Sequence, residues 1–314
     1  MFELKNLGIF NYLSSSDLNK NQFLYILELA QSFKYGKFEH SIDRKVLGLI
    51  FNKASTRTRV SFQVAMTKLG GTTIDLNPNT SQIGRGELIK DTARVMSRYC
   101  DVLAIRSFDQ KDLIEYSKWS SIPVINALTD LEHPCQALAD FLTIKEEFNN
   151  FDDLVLTFVG DGNNVANSLI LCAAILGIEI RIACPKGYEP HNSIIKKAFE
   201  INPNNKITIT HDPESAALNA NILYTDVWSS MGEEDDKFNK DKKFTGFSID
   251  DNLLKRAKQD SIVLHCLPAY RGKEITDKVI DSQNSRIFEQ AENRLHAQQA
   301  LLATILSNPL AKKR

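Results

Sequence analysis

Residues 46–69 read VLGLIFNKASTRTRVSFQVAMTKL, and their three parts decide the fold class. Val46–Phe51 is a short, unbroken apolar run, which reads as a strand buried on both faces. Ser61–Leu69 follows as a helical pattern. Between them lies Ser55-Thr56-Arg57-Thr58-Arg59, five consecutive side chains that each carry a hydrogen-bond donor. Two of them carry a permanent positive charge. A helix N-terminus already offers free N–H groups and a partial positive charge, so these residues form a site shaped for a phosphate or a similar dianion. The plainer reading is a polar helix cap with its arginines on a solvated face. A Walker loop is excluded, because that motif wraps phosphates with glycine backbone and a terminal Gly-Lys-Ser/Thr. Side chains would hold the anion here, which suits a small ligand with one phosphate.

The same alternation continues along the chain. Val102–Ile105, Val124–Asn126, Leu154–Val159, Ile180–Cys184, Ile222–Tyr224 and Ile262–Cys266 read as further buried strands. Helical patterns fall over Glu87–Arg98, Lys111–Trp119, Pro134–Phe148, Ala166–Leu176 and Asn192–Glu200. Strands alternating with helices predict an α/β fold of parallel sheets covered on both faces. A length of 314 residues suggests about two domains. The polar stretch Glu146–Asp153 is the expected boundary, giving domains over 1–147 and 148–288. The remainder, 289–314, carries an amphipathic helix over Asn293–Leu306, expected to pack back on the first domain, and ends in a basic tail, Lys312-Lys313-Arg314. Asp226–Thr245 reads as one long, charged, irregular loop, a length typical of a lid over a site.

Composition narrows the partners. Hydrophobic residues make up 43%, enough for a substantial core, and 38 basic against 39 acidic residues give a net charge of −1. That balance predicts neither nucleic acid nor an anionic membrane surface as a partner. No apolar run reaches the length of a membrane span, and the first residues lack a signal-peptide layout. The five cysteines, Cys100, Cys135, Cys172, Cys184 and Cys266, are odd in number and contain no CxxC pair. Neither a disulfide framework nor a zinc site is expected, and a reducing, cytoplasmic setting fits.

In open α/β sheets, ligands gather beyond the carboxyl ends of the strands. Six strand ends here carry polar or reactive groups. They are Ser55–Arg59, Arg106, His133-Pro134-Cys135-Gln136, Gly160-Asp161-Gly162-Asn163-Asn164, the run from Asp226 to Gly232, and His265-Cys266-Leu267-Pro268. Each has a structural alternative: a surface ion pair for Arg106, a helix start for His133, a core amide for Gln136, a turn for Asp226, a small buried hydrophobe for Cys266. Their coincidence points to an assembled site. The glycine segment is not a dinucleotide fingerprint. Val165 stands where the third glycine belongs, and no acidic residue follows Ile180–Cys184 to hold a ribose. On the functional reading, Asn163 and Asn164 present amides to a small polar substrate.

These residues resemble the carbamoyltransferases. Ser55-Thr56-Arg57-Thr58-Arg59 is similar to that family's carbamoyl phosphate signature, and His133-Pro134-Cys135-Gln136 to its second signature. Asp226 through Gly232 and His265-Cys266-Leu267-Pro268 resemble the family's ornithine branch. The resemblance runs in order from Phe51 to Asn293-Arg294. It implies two doubly wound parallel-sheet domains with an active-site cleft between them, in trimers or assemblies of trimers. It further implies that Ser55, Thr56, Arg57, Thr58 and Arg106 bind the phosphate of carbamoyl phosphate. His133, Gln136 and Arg294 would hold the carbonyl and amino ends, with the backbone of Cys266 and Leu267 beside them. Gln82 would reach in from a neighbouring subunit. Asn164, Asp226, Ser230 and Met231 would bind L-ornithine, with Arg106, His133, Asp226 and Cys266 nearest the chemistry and neither cofactor nor metal required. One departure is local: the family often has Phe-Glu-Lys where this chain has Phe51-Asn52-Lys53, so a carboxylate partner for a nearby arginine is not expected there. An aspartate-specific relative would want extra cations at the amino acid loops. Acetylornithine or putrescine as acceptor, a dehydrogenase and a non-catalytic anion sensor remain the competing readings.

Overall fold

The computed structural model describes residues 4–52, 55–77, 86–229 and 237–308. Gln82, Ser230, Met231 and the basic tail lie outside the described residues. Two compact units emerge, one of residues 1–142 with 292–314 and the other of residues 143–291.

The first unit begins with α1 (Lys20–Lys34), capped by Asn19 and Gln22, and continues through β1 (Val46–Phe51), α2 (Arg57–Lys68), β2 (Thr72–Leu76) and α3 (Ile89–Tyr99). It goes on with β3 (Val102–Arg106), α4 (Gln110–Trp119), β4 (Val124–Leu128) and the start of α5 (Pro134–Phe148). Its four strands are all parallel, in the order β2-β1-β3-β4. β1 and β3 are almost wholly buried, which is why they appear in the sequence as continuous apolar runs. Gly48 in β1 is required by packing, since a Cβ there would lie 2.7 Å from the Leu103 side chain and 3.1 Å from Cys100 Sγ.

The second unit carries β5 (Val155–Val159), α6 (Asn164–Leu176), β6 (Glu179–Ala183), α7 (Asn192–Ile201), β7 (Ile207–Thr210) and α8 (Pro213–Ala217). Beyond these come β8 (Ile222–Thr225), α9 (Lys237–Lys243), α10 (Asp251–Leu254), β9 (Ile262–His265), α11 (Asp277–Ile280) and α12 (Ile287–Leu306), whose C-terminal part belongs to the first unit. The five strands are again parallel, in the order β7-β6-β5-β8-β9. The α/β class read from the sequence therefore holds in both units.

Three features differ from the sequence reading. The edge strands β2 and β7 were not expected. Their residues are largely exposed and polar, so neither shows the apolar run that marks a buried strand. α2 begins at Arg57, not Ser61, which puts Arg57, Thr58 and Arg59 in its first turn. Residues 226–245 are not one irregular loop, because Lys237–Lys243 form α9. Lys240 is nearly buried and its Nζ donates to Asp161 Oδ2 at 2.9 Å. Phe244, just beyond the helix, stacks on Trp228 at 5.7 Å and meets Tyr188 edge-on at 4.8 Å. Among the described residues, no helix is long and apolar enough to cross a membrane, and all five cysteines are buried thiols outside any disulfide.

Candidate active site

Each sheet has one place where chain order reverses between neighbouring strands. In the first unit it lies between β1 and β3, and in the second between β5 and β8. Connections leave in opposite directions from such strands, so a crevice opens at their carboxyl ends. Four of the six polar strand ends stand at these two places.

In the first unit, β1 delivers Ser55–Arg59 and β3 delivers Arg106, which pairs in register with Phe51. Thr56 takes the N-cap position of α2 without a side-chain cap hydrogen bond, so the first-turn N–H groups are not consumed by it. Thr58 is buried, and its hydroxyl accepts from Arg294 Nη2. Arg294 Nη1 also donates to Gln136 Oε1 at 2.5 Å, and Gln136 Nε2 donates to Asp140 Oδ1 at 2.8 Å. Thr58, Gln136 and Arg294 are thus joined although 158 and 236 positions separate Arg294 from its two partners.

The electrostatics of this unit are unusual. Burial, and then the fields of Arg294 and Arg57, push the Arg106 guanidinium from 12.5 down to about 10. Neither Arg57 nor Arg106 forms an ion pair with a carboxylate among the described residues. Arg106 Nε is buried without a hydrogen-bond partner among them. Burying cations together costs free energy unless an anion compensates, so the cluster is poised for a dianion. His133 is buried beside it. Burial first, then Arg294 and Arg106, hold its imidazole well below the ordinary value, so the ring is neutral near pH 7. Cys135, in the same signature, is only core: burial pushes its thiol up to about 12, and Sγ lies 3.2 Å from the Asn126 carbonyl.

Arg59 does not join the cradle. It pairs with Asp75 on β2 and lies over the Phe51 ring at 5.1 Å. Asp75 thereby supplies a carboxylate for this arginine, which the Asn52 departure had left without an expected partner.

In the second unit, Asp226 follows β8 and is nearly buried. Its carboxylate accepts from Asn163 Nδ2 at 2.8 Å, from its neighbour Val227 N at 2.8 Å, and from the Cys266 thiol at 3.0 Å. Asn163 is fully engaged, since its Oδ1 also caps α6 by accepting from Val165 and Ala166 N–H. It orients Asp226 as well as capping α6, a role that the sequence reading did not assign to it. Asn164 is the first residue of α6 and half-buried. Gly162 closes the dinucleotide question physically. Its N–H donates to Tyr188 O at 2.9 Å, and a Cβ there would lie 2.4 Å from Pro190 N. The glycine turn is pressed against the chain at 188–190, and its Gly162 N–H is spent on Tyr188 O and not offered to a phosphate.

His265 ends β9 and braces the next residue. Its Nδ1 accepts from Leu267 N at 2.8 Å, so Nε2 carries the proton and donates to Glu274 Oε1 at 3.1 Å. Leu267 holds a left-handed φ of 58°, a conformation costly for a side chain with a Cβ, and this hydrogen bond helps to secure it. Gln290 Oε1 accepts from His265 N at 2.9 Å, and its Nε2 donates to the Tyr224 hydroxyl at 3.1 Å. Glu274, Gln290 and Asp140 were absent from the sequence reading. Strand-end position, the signal that found the others, does not mark residues on helices and return loops. Asp226, His265 and Cys266 offer donor atoms within 4.8 Å of one another. Both His265 ring nitrogens are occupied by hydrogen bonds, so the trio is a hydrogen-bonded cluster and does not fit a metal ion.

A guanidinium cluster made for a dianion, with a neutral imidazole beside it, and a separate carboxylate–thiol pair suited to an ammonium ligand define a group-transfer enzyme acting on a small phosphorylated donor. Comparison with known proteins identifies the family. Residues 11–146 match the carbamoyl-P binding domain of aspartate/ornithine carbamoyltransferase, and residues 152–305 match its Asp/Orn binding domain. The chain belongs to the aspartate/ornithine carbamoyltransferase family. An ornithine carbamoyltransferase of Prochlorococcus marinus (strain MIT 9312) is 69% identical over 298 residues, covering 95% of this chain and 97% of that protein. The solved ornithine carbamoyltransferase of Pyrococcus furiosus superposes with a TM-score of 0.91 at 45% identity, covering 94% of this chain and 96% of its own. The anabolic ornithine carbamoyltransferase of Campylobacter jejuni gives 0.90 at 40% identity, covering 95% and 99%.

Proposed function

We propose that this chain transfers the carbamoyl group of carbamoyl phosphate to the side-chain amine of L-ornithine, giving L-citrulline and phosphate. The observation that carries the reading is the cluster of half-buried Arg57 and Arg106 with buried Arg294, in which Arg57 and Arg106 lack a carboxylate partner among the described residues. Residues 1–147 with the 289–314 segment are the carbamoyl phosphate domain, and residues 148–288 the ornithine domain. Ser55, Thr56, Arg57, Thr58 and Arg106 grip the phosphate. His133, Gln136 and Arg294 hold the carbamoyl end, joined by the backbone of Cys266 and Leu267 and by Gln82 of a neighbouring subunit. Asn164, Asp226, Ser230 and Met231 hold ornithine.

The chemistry follows from these contacts. The amine attacks the carbonyl carbon, a tetrahedral intermediate forms, and the C–O bond to phosphate breaks as the new C–N bond is kept. Negative charge grows on the carbonyl oxygen, where Thr58, Arg106 and neutral His133 act as preorganised donors. An imidazole held neutral donates a hydrogen bond without adding a charge that would bind the ground-state phosphate more tightly. The attacking amine must be neutral, yet an alkyl amine has a pKa of about 10. Asp226 holds the α-ammonium group, while Cys266 sits toward the reacting amine, and the departing phosphate takes the proton. Holding the two reactants in line is worth roughly 7–11 kcal/mol.

The anabolic designation of the Campylobacter jejuni relative favours a role in arginine biosynthesis, and five cysteines without a CxxC pair fit a reducing, cytoplasmic setting. A trimer or an assembly of trimers is what the resemblance implies, and the half-exposed apolar side chains of Val60 and Val64 on α2 and Ile74 on β2 are ones that a subunit interface would cover. Citrulline formation assayed with ornithine, acetylornithine, putrescine and aspartate tests the reaction and the acceptor together. Turnover with ornithine alone is expected; preference for another amine, or none, would overturn the proposal. Sedimentation of the purified protein tests the trimer.

A further inference from the structure

The bond from Gln136 to Asp140 serves no purpose yet assigned. Asp140 is 0% exposed, on α5, one helical turn beyond Gln136. A buried carboxylate is costly, so one placed beside a ligand-binding amide calls for a reason. The amide stands between two partners of opposite kind. Arg294 can only donate, and it faces Oε1; the Asp140 carboxylate accepts, and it faces Nε2. Together they fix which end of the amide is oxygen, a choice that a glutamine otherwise makes freely.

The consequence concerns the ligand. Nε2 is directed toward Asp140, while Oε1 receives one hydrogen bond among the described residues and has a second lone pair to offer. An oxygen so fixed accepts from a donor such as an N–H and gains no hydrogen bond from a methyl group. We propose that Asp140 is a specificity-determining positioning residue: by locking the Gln136 amide with its oxygen toward the ligand, it makes the site select an acyl phosphate bearing an amino group over one bearing a methyl group of similar size. The inference rests on the assignment of Gln136 to the carbamoyl end of the donor. A site built to hydrogen-bond an N–H discriminates strongly against an analogue without it, whereas shape alone separates isosteres poorly.

Acetyl phosphate is the isosteric probe, and inorganic phosphate reports on the cradle alone. The quantity to measure is the inhibition constant of acetyl phosphate divided by the dissociation constant of carbamoyl phosphate. Asp140→Leu removes the acceptor, so Arg294 alone orients the amide and Nε2 is no longer held away from the ligand, and the ratio should fall, by up to about tenfold, the worth of roughly one hydrogen bond. Phosphate affinity should stay within about twofold. Asp140→Asn, which can still accept through Oδ1, should restore most of the ratio. In a Gln136→Leu background, Asp140→Leu should change the ratio no further. A second route does not depend on tolerance of leucine. Gln136→Glu faces Asp140 with like charge and should bind carbamoyl phosphate weakly, and adding Asp140→Asn supplies a donor and should recover at least part of the loss. An unchanged ratio in Asp140→Leu, equal losses for carbamoyl phosphate and inorganic phosphate, or no recovery in the double variant would overturn the inference. Failure of the unaltered protein to bind carbamoyl phosphate would instead sink the functional reading beneath it.

Discussion

Arg106 offers the sharpest test of the cradle, because its charge is costly in the free protein and useful only with ligand. Its guanidinium is displaced from 12.5 to about 10 by burial, then by Arg294 and Arg57. At about 1.4 kcal/mol for each tenfold, keeping this group charged costs the folded state on the order of 3 kcal/mol. The sign is that of a cation whose folded value is lowered. The cost is fully present below about pH 10 and fades as pH rises toward 12.5, so it stands undiminished at neutral pH. Arg106→Gln removes the charge and keeps part of the side-chain volume. Lost packing and the lost contacts of the long side chain offset part of the gain. The ligand-free variant should therefore unfold at the same temperature as the parent or a few degrees above it, since about 1 kcal/mol corresponds to roughly 2–4 °C in a unit of this size. Addition of a phosphonate mimic of carbamoyl phosphate should raise the parent's midpoint strongly and the variant's hardly at all. Paired thermal unfolding scans, with calorimetric titration of the mimic, read both quantities. A variant that loses several degrees when free but keeps the full ligand-induced rise would refute the reasoning, because Arg106 would then be a structural residue.

Three further outcomes are expected. Asp226→Asn should reduce kcat/KM for ornithine by about a hundredfold or more, while the dissociation constant of carbamoyl phosphate moves less than about threefold; steady-state kinetics beside direct titration would show equal losses if Asp226 were only structural. His133 is held well below its ordinary value, so its ring resonances should not titrate between about pH 6 and 8; an NMR midpoint in that interval would contradict a neutral donor. Gly162→Ala puts a Cβ 2.4 Å from Pro190 N, a backbone atom that cannot rotate away, and overpacking of this kind costs about 1–3 kcal/mol; a chemical-denaturation midpoint equal to the parent's would mean the turn yields.

What the sequence revealed and what it hid follow from one geometric fact. Residues that end a strand beside a reversal of strand order are pushed toward a crevice whatever their partners, so Ser55–Arg59, Arg106 and Asp226 could be found by reading along the chain. β1, β3, β8 and β9 were equally legible, because a strand buried on both faces must be apolar throughout. β2 and β7 escape that rule because they are exposed along much of their length, whereas β4 and β9, also at sheet edges, are covered and stay apolar or buried. Partnership was the hidden layer. That Arg59 belongs to Asp75 while Arg57 has no carboxylate among the described residues depends on the face of α2 each occupies, and both read alike as arginines of one signature. Asn163 and Asn164 likewise differ by one position, yet the first is consumed by capping α6 and orienting Asp226. Asp140 shows the limit most plainly. An acidic residue in the buried stretch of α5 looks like a defect until Gln136 and Arg294 are seen beside it, and only their joint geometry turns it from an unexplained cost into a device that fixes which end of the Gln136 amide is oxygen.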